Sequence, residues 1–233
     1  MSRLNRFRQR LLGRENRSWD ERVGVDTRGW FVPDAQAVVS KEADGFPYAG
    51  THWRLARAML RSLRPNAAGA TFVDLEFGKG RVLLVAAGLP FEQVVGVEYA
   101  HVLHRVAERN IATVAGQGEA DRRPRVRSEL VDVREFEFPS SPLVIYLNNP
   151  FPEPVLSNVL ATLTRSYDAA PRPITILYQQ LRVEDDEHRT RNVALIGELP
   201  FVAPRRLSIR GALNRVLLGE YALNAFSSPE VVS

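Results

Sequence analysis

The sequence predicts a single doubly wound α/β domain with a mostly parallel sheet, helices on both faces and an antiparallel hairpin at the C-terminal end. Short apolar runs rich in strand-forming residues alternate five times with segments of helical periodicity, which is typical of a parallel sheet covered by helices. A glycine turn, 76–80, follows the first of these runs directly. The last two apolar runs, 205–209 and 214–223, flank Gly211 and therefore predict the hairpin.

The composition fits one buried core and excludes several kinds of chemistry. The chain has 233 residues, 45% of them hydrophobic, so it is long enough for one well-buried domain plus an extension. It contains no cysteine, which excludes disulfides, cysteine nucleophiles and thiolate metal sites and agrees with a cytoplasmic location. No apolar run approaches the roughly 20 residues that span a bilayer, so we expect no membrane insertion.

Residues 1–22 are predicted to form a basic amphipathic arm. The arm could bind phosphate backbones or another anionic surface, or it could be a solvated helix that docks its apolar stripe, Leu4, Phe7 and Leu11, on the body. The sequence favours docking. Of the 31 basic residues of the chain only Lys41 and Lys79 are lysines, and so global an arginine bias gives weak support for nucleic acid.

Residues 23–50 are predicted to be irregular, because glycines and prolines recur in them. Their aromatic residues suggest that the segment packs on the remainder of the chain; these are Trp30, Phe31, Phe46 and Tyr48. Residues 51–233 form the main domain, which we expect to begin with a helix over 51–63 capped by Thr51.

The stretch 71–98 contains the central pattern. A strand over 70–75 leads into the glycine turn, a helix covers 81–89, and a strand over 93–97 is followed by Glu98. Glycines after the first strand and an acid after the second indicate a nucleotide site, because Gly78 and Gly80 let the backbone approach a ligand and the acid accepts hydrogen bonds from ribose hydroxyls. Leu83 stands where an NAD site would need a third small residue.

The later elements place polar residues after two more strands. A helix over 100–114 precedes a strand over 125–131 that ends at Asp132, and a strand over 142–147 ends at Asn148. The remaining predicted elements are helices over 153–167 and 185–199 and a strand over 174–178. His101 and His104 lie three residues apart without a third ligand, so we expect a solvated helix face and no metal site.

With these elements in place, residues 73–81 resemble motif I of the class I S-adenosylmethionine-dependent methyltransferases, which have a Rossmann-like fold. Residues 94–98 resemble their second motif, and the resemblance extends over about 48–224. Residues 148–151 are similar to the sequence that amine methyltransferases carry after the fourth strand, and their double asparagine is distantly similar to the non-SET histone-lysine methyltransferases.

The resemblance implies the cofactor S-adenosyl-L-methionine and a segment 23–50 that covers it. The implied cofactor-binding residues are Asp74, Glu76, Gly78, Gly80, Glu98, which would bind the ribose, and Asp132, which would bind the adenine. Glu76 departs from the family, which has glycine there, so a side chain and a charge stand near the methionine part of the cofactor. Glu76 could pair with the ammonium group of the cofactor, repel its carboxylate, or point to solvent.

The resemblance also implies that Asn148, Pro150 and Phe151 act on the methyl acceptor. Amide and carbonyl oxygens would hold an amine, and Phe151 would shield the sulfonium. Protein amines, small molecules and nucleic-acid bases stay open as acceptors, as does the oligomeric state. Two other functions remain: a degenerate cofactor-binding domain without transferase activity, and a nucleic-acid-associated protein that uses residues 1–22.

Overall fold

The structure is a computed structural model that describes residues 3–31, 48–63, 68–116, 125–148, 151–181, 187–207, 209 and 221–228. Its helices are α1 (Arg3–Val23), α2 (Trp53–Arg61), α3 (Arg81–Ala86), α4 (His101–Ala115), α5 (Glu153–Ala169) and α6 (Glu187–Gly197). Its strands are β1 (Trp30–Phe31), β2 (Tyr48–Ala49), β3 (Thr71–Leu75), β4 (Gln93–Glu98), β5 (Arg125–Leu130), β6 (Leu143–Asn148), β7 (Ile174–Leu181), β8 (Ala203–Pro204) and β9 (Tyr221–Ser227).

The main sheet has seven strands in the order β5-β4-β3-β6-β7-β9-β8. Strands β3 to β7 are parallel, and β9 lies antiparallel between β7 and β8. The chain runs outward from β3 to β5 and then returns to β6 on the other side of β3, which places the topological switch point between β3 and β6. The predicted doubly wound sheet with an antiparallel C-terminal pair is confirmed.

The hairpin itself lies at other residues than predicted. Strand β8 covers Ala203–Pro204 rather than 205–209, and β9 covers Tyr221–Ser227 rather than 214–223, most of which lies outside the described residues. Strand β8 pairs only with β9, and a proline fits there because an edge strand does not need every N–H for the sheet. Of the predicted strand over 205–209, the described residues 205–207 and 209 are not in a strand, and the residues of β8 that pair with β9 are Ala203 and Pro204.

Each face of the sheet carries its own hydrophobic core, which explains why the central strands are apolar at nearly every position. One core packs α5 and α6 against the sheet through residues such as Leu156, Leu163 and Ile196. The other packs α2 and α3 through residues such as Leu60 and Leu83. Every side chain of β3 is buried, so this strand positions the turn that follows it rigidly.

The prediction that Thr51 caps α2 was wrong. The Thr51 hydroxyl is buried and lies 2.7 Å from the Tyr146 hydroxyl and 3.0 Å from the Gln179 Nε2 donor. His52 is the cap instead, since its Nδ1 accepts from the Arg54 N–H. Burial lowers the pKa of His52 to about 4, with the positive charge of Arg81 acting in the same direction, so the ring stays neutral and able to accept.

The expectation of a solvated face at both histidines of α4 was wrong for His104. Its side chain is buried, and its ring lies 5.9 Å from the ring of Phe77 in the glycine turn. His101 is half-buried. The described residues contain no cluster of three or more histidines and acids that could hold a metal ion.

The N-terminal helix α1 packs against the domain through its second half. The Trp19 ring stacks on the Trp53 ring at 6.2 Å, and Leu12 is buried. Glu15 pairs with Arg54 at 2.8 Å. The predicted stripe of Leu4, Phe7 and Leu11 lies outside the described side chains, and the boundaries at 22/23 and 50/51 stay predictions. Within the described part of the chain no helix is long and apolar enough to cross a bilayer.

Arg81 ties the N-terminal segment to the glycine turn. Its side chain is 3% exposed, and its guanidinium donates to the Thr27 hydroxyl and carbonyl, both at 2.7 Å. It also donates to the carbonyls of Gly50 at 3.2 Å and Thr51 at 3.0 Å. Asp20, 1% exposed, accepts from the N–H and hydroxyl of Thr27 and lies 4.0 Å from the guanidinium. A fork of five donors suits this set of acceptors.

We expect Arg81→Met to lower the free energy of unfolding by about 3 to 5 kcal/mol, because it removes the guanidinium donor of the Gly50 and Thr51 carbonyls and of the Thr27 hydroxyl and carbonyl, and the positive charge beside the buried Asp20 carboxylate. Urea denaturation of the wild type and the variant measures the change. Arg109→Met, at an exposed position of α4, is the matched control and should change stability by less than about 0.5 kcal/mol. Equal effects of the two substitutions would contradict the role given to Arg81.

Candidate cofactor site

Strands β3 to β6 end at one edge of the sheet, on both sides of the switch point, and the predicted site residues follow these ends. Glu76 follows β3, Glu98 ends β4, Asp132 follows β5, and Asn148 ends β6. Ligands of doubly wound sheets bind at this position, because the loops of the two halves diverge there and leave a crevice.

The glycine turn keeps a left-handed backbone at all three motif positions. The φ angles are +64° at Glu76, +60° at Gly78 and +83° at Gly80. Glu76 therefore adopts a conformation that favours glycine, at a cost of about 1 to 3 kcal/mol. The Glu76 N–H donates to the Val97 carbonyl at 2.8 Å, and this bond ties the turn to β4. The turn therefore keeps a left-handed backbone at this position, although the residue is glutamate and not glycine.

Glu98 closes the turn from the other strand. Its side chain is 2% exposed; Oε2 accepts from the Gly78 N–H and Oε1 from the Ala100 N–H, both at 2.8 Å. The carboxylate therefore holds the glycine turn against the start of α4. The Tyr99 N–H also donates to this carboxylate, which with two acceptor sites on each oxygen leaves one site for a ribose hydroxyl.

Three carboxyl groups at this edge bind protons unusually strongly. Burial raises the pKa of Glu98 to about 7, against the opposing effect of its backbone N–H donors. Burial also raises the pKa of Asp74 well above its usual range, and the neighbouring Glu98 adds to the effect. The pKa of Glu76 is raised well above its usual range by burial and then by the negative charges of Glu98, Asp132 and Asp74. The edge is therefore less negative at neutral pH than its composition suggests.

Asp132 is already paired. It caps a 3₁₀ turn over Val133–Glu135, and its carboxylate accepts from the Arg134 backbone N–H and guanidinium at 2.7 to 2.9 Å. The Arg134 pair fixes the orientation of the carboxylate at the end of β5. Asp132 thus caps the turn that follows β5.

The segment before α2 lies on the glycine turn. The Tyr48 ring covers Gly78 so closely that a Cβ there would overlap it, and the Tyr48 hydroxyl donates to the Thr27 carbonyl at 2.9 Å. Burial raises the pKa of Tyr48 above its usual range. On the other side of the turn the Lys79 ammonium donates to the Arg28 carbonyl at 2.6 Å and pairs with Asp26 at 3.0 Å.

Asn148 is the one predicted acceptor residue that the structure places beside this segment. Its Nδ2 donates to the Ala49 carbonyl at 3.1 Å, and its Oδ1 accepts from Gln179 at 3.1 Å. Pro150 and the neighbouring Asn149 lie outside the described residues. Phe151 is only 1% exposed and packs in the core, so the expectation that its ring shields a bound ligand does not fit its position.

Two residues that hold the site together were missed by the sequence reasoning. One is Arg81. The other is Asn110 on α4, which is 4% exposed and binds both the Asp26 backbone and the Lys79 carbonyl. The sequence did contain a signal for Arg81, since it is a charged residue directly after the glycine turn, at the start of an otherwise apolar helix. Such a charge is either exposed at the end of the helix or bound by buried acceptors. Asn110 gave no such signal.

Several solved structures share this architecture at low sequence identity. A putative RNA methyltransferase from Pyrococcus horikoshii is 13% identical, with a TM-score of 0.56 over 91% of this chain and 98% of that chain. The methyltransferase domain of a bacterial Hen1 protein is 14% identical, with a TM-score of 0.53 over 75% of this chain and 97% of that one. The chain has the class I methyltransferase fold. A putative methyltransferase from Escherichia coli shares it at 12% identity, with a TM-score of 0.51 over 86% of this chain and 98% of that one.

No family model matches the chain, and no curated protein matches it in sequence. The class I methyltransferase fold is therefore what the chain shares with these proteins. The resemblance that residues 73–81 and 94–98 suggested is confirmed for the fold. The likeness to non-SET histone-lysine methyltransferases and the roles of single site residues stay predictions.

The raised pKa of Glu98 predicts a stability that depends on pH. The folded protein holds this proton more tightly than the unfolded chain, so the stabilisation is complete below about pH 4.5 and is lost as the pH rises through about 7. Glu98→Gln imitates the protonated group and removes this dependence. Between pH 4.5 and pH 8 the free energy of unfolding of the variant, relative to wild type, should rise by about 3 kcal/mol.

Urea denaturation of both proteins at a series of pH values measures this difference. Glu137→Gln, at an exposed carboxylate, is the control and should run parallel to wild type. A difference that stays constant with pH, or that changes with the opposite sign, would show that Glu98 is not held in a buried, proton-binding position.

Proposed function

We propose that the protein transfers a methyl group from S-adenosylmethionine to an amine-type acceptor. The observation that carries the proposal is the left-handed glycine turn held by Glu98 at the switch point of a class I methyltransferase fold. The same edge presents an acid after β5 and an amide at the end of β6, in the order in which the resemblance implies contacts to adenine and to the acceptor.

The chain offers a fitting partner for each part of the cofactor. The Glu98 carboxylate at the end of β4 suits ribose hydroxyls, and by the resemblance the Asp132 carboxylate would accept from an adenine amino group. Gly78 and Gly80 give the turn its left-handed backbone, and the Tyr48 ring lies on Gly78, so a ligand that reached the main chain there would displace this ring. Glu76 would lie near the methionine part, and burial together with the charges of Glu98, Asp132 and Asp74 raises its pKa, which weakens its repulsion of a carboxylate there.

When bound, S-adenosylmethionine supplies an electrophilic methyl carbon, which an amine nitrogen attacks as the carbon–sulfur bond breaks. The chain then needs to align the acceptor and exclude water, and alignment in intramolecular reactions contributes as much as about 7 to 11 kcal/mol. The Asn148 amide is held in place by the Ala49 carbonyl and the Gln179 donor, and its oxygen keeps one acceptor site for an amine N–H. No strong base is needed for an amine that is already neutral.

Calorimetry with S-adenosylmethionine tests the cofactor site. We expect the wild type to bind and Asp132→Ala to weaken binding by roughly 10-fold or more, since one buried hydrogen bond to a charged group contributes about 1.5 to 3 kcal/mol. Glu76→Gly should bind within about 10-fold of wild type, because glycine fits the left-handed backbone of the turn and at most one hydrogen bond is lost. Glu137→Ala is the control for loss of one carboxylate.

The alternatives give other results. Binding by Glu76→Gly but not by wild type would establish the degenerate domain, with the Glu76 side chain blocking the cofactor. Absence of binding by every variant, with an intact melting transition, would contradict the proposal.

Asn148→Ala tests the acceptor side. We expect labelled methyl transfer to the responsive fraction of a cell extract to fall about 100-fold, which is the size of effect that misplacement by about 1 Å produces, while cofactor affinity changes little. Asn158→Ala on the exposed side of α5 is the matched control. Unchanged transfer by Asn148→Ala would remove this residue from the acceptor site.

A further inference from the structure

A cleft of about 920 Å³ lies between α1 and the segment that covers the glycine turn. We call it the arginine cleft. Arg10, Gly13, Arg14 and Arg17 of α1 line one side of it, and Arg28 and Gly50 line the other. The three arginines of α1 lie at spacings of four and three residues, so one helix face presents all of them to the cleft.

The positive charges on the α1 side of the cleft are not paired with acids among the described residues. Arg10, Arg14 and Arg17 are exposed, and no ion pair joins any of them to an acid among the described residues. The Nε atom of Arg28 pairs with Asp20, and 41% of the Arg28 side chain is exposed. Guanidinium groups bind phosphate through paired donors, so several of them along one concave surface suit a chain of phosphates better than a single anion.

An exposed aromatic residue adjoins two residues that line the cleft. Trp30 is 67% exposed, whereas Trp19 and Trp53 are each 8% exposed. It follows Gly29 in the chain and pairs with Ala49 across β1 and β2, and both of these neighbours line the cleft. A basic groove with an aromatic platform is how proteins hold single-stranded nucleic acid, because every base has a face that can stack. Paired bases in a duplex hide these faces.

The cleft leads to the acceptor side of the candidate site. Ala49, which lines it, accepts the hydrogen bond from the Asn148 amide at 3.1 Å. Arg81, at the start of α3, also lines it and directly follows the glycine turn. A strand that lies in the cleft therefore passes next to Ala49, which is one hydrogen bond away from Asn148 at the end of β6.

We propose that the arginine cleft binds a single strand of nucleic acid and that an exocyclic amino group of one of its bases is the methyl acceptor. This inference rests on the proposed function for its second clause only. In the step, the amino nitrogen forms a bond to the methyl carbon, the carbon–sulfur bond breaks, and the proton lost from nitrogen goes to water. A bilayer surface fits the cleft less well, because the cleft is concave and Trp30 is the only large apolar side chain that the described residues expose beside it.

A substitution at Gly13 can block the cleft without destabilising the fold. It lies in α1, and nothing is found within 4 Å of the place where its Cβ would be. Both alanine and glutamate form helices better than glycine. Gly13→Ala therefore changes the cleft little, whereas Gly13→Glu puts a carboxylate between Arg10, Arg14 and Arg17.

The binding test uses the full chain and a fluorescently labelled single-stranded RNA of mixed sequence, with a DNA strand of the same sequence in parallel, read by anisotropy without cofactor at several salt concentrations. We expect salt-sensitive binding to at least one of the strands. Gly13→Glu should weaken it about 10-fold or more, and Gly13→Ala should leave it unchanged. Arg14→Ala with Arg17→Ala should lower the slope of log affinity against log salt by about 0.7 for each arginine.

Trp30→Ala should weaken binding about 5- to 100-fold, the effect of losing one stacked base. Arg105→Ala with Arg109→Ala, at exposed positions of α4, removes the same charge elsewhere and should change binding less than twofold. Equal effects of the two arginine pairs, or binding untouched by Gly13→Glu, would overturn the proposal. So would equal competition by a glutamate polymer or by phosphatidylserine vesicles.

Methyl transfer is then measured separately with labelled donor and the strand that binds. Label in the strand that is lost in Gly13→Glu supports the whole inference. Binding in the cleft without label, by a protein that does bind S-adenosylmethionine, would overturn the acceptor clause and leave the binding clause standing. Failure of cofactor binding itself would contradict the proposed function without touching the strand-binding result.

Discussion

The buried guanidinium of Arg81 is the contact on which the functional edge of this molecule depends. It stands at the first position of α3, directly after the glycine turn, and donates to backbone carbonyls on both sides of the segment that follows α1. An arginine that is 3% exposed is stable only where its donors are satisfied, so the acceptors at Thr27, Gly50 and Thr51 are fixed relative to the turn. Through them the N-terminal helix and the Tyr48 cover are placed as well.

This arrangement sets two environments side by side. At the turn, the carboxyl groups of Asp74, Glu76 and Glu98 have pKa values raised by burial, so this edge carries less negative charge than three ordinary carboxylates would. A few residues away, on the other side of the Arg81 contact, the arginine cleft is open and cationic. A nucleoside at the turn would be bound by hydrogen bonds to buried groups. Phosphates in the adjoining cleft would be bound by exposed positive charges, and salt would weaken that binding.

The sequence was sufficient where one local pattern determines the structure. The apolar runs of β3, β4, β6 and β7 and the glycine turn predicted a doubly wound parallel sheet, because strands that are buried on both faces are apolar at nearly every position. It was insufficient where a side chain binds far away in the chain. Thr51 looks like a cap but binds Tyr146 and Gln179, and Phe151 looks like a wall of the site but packs in the core. Such partners lie 95 or more residues from Thr51, so no local signal reveals them.

The central expectation is that the edge formed by the glycine turn and the end of β4 receives a nucleoside. Hydrogen exchange of the backbone, measured with and without S-adenosylhomocysteine, tests this most directly. We expect the ligand to slow hydrogen exchange in peptides that cover 76–80 and 98–100 and to leave exchange in the exposed half of α5 unchanged. Binding without protection at the turn, or protection confined to another part of the chain, would contradict it.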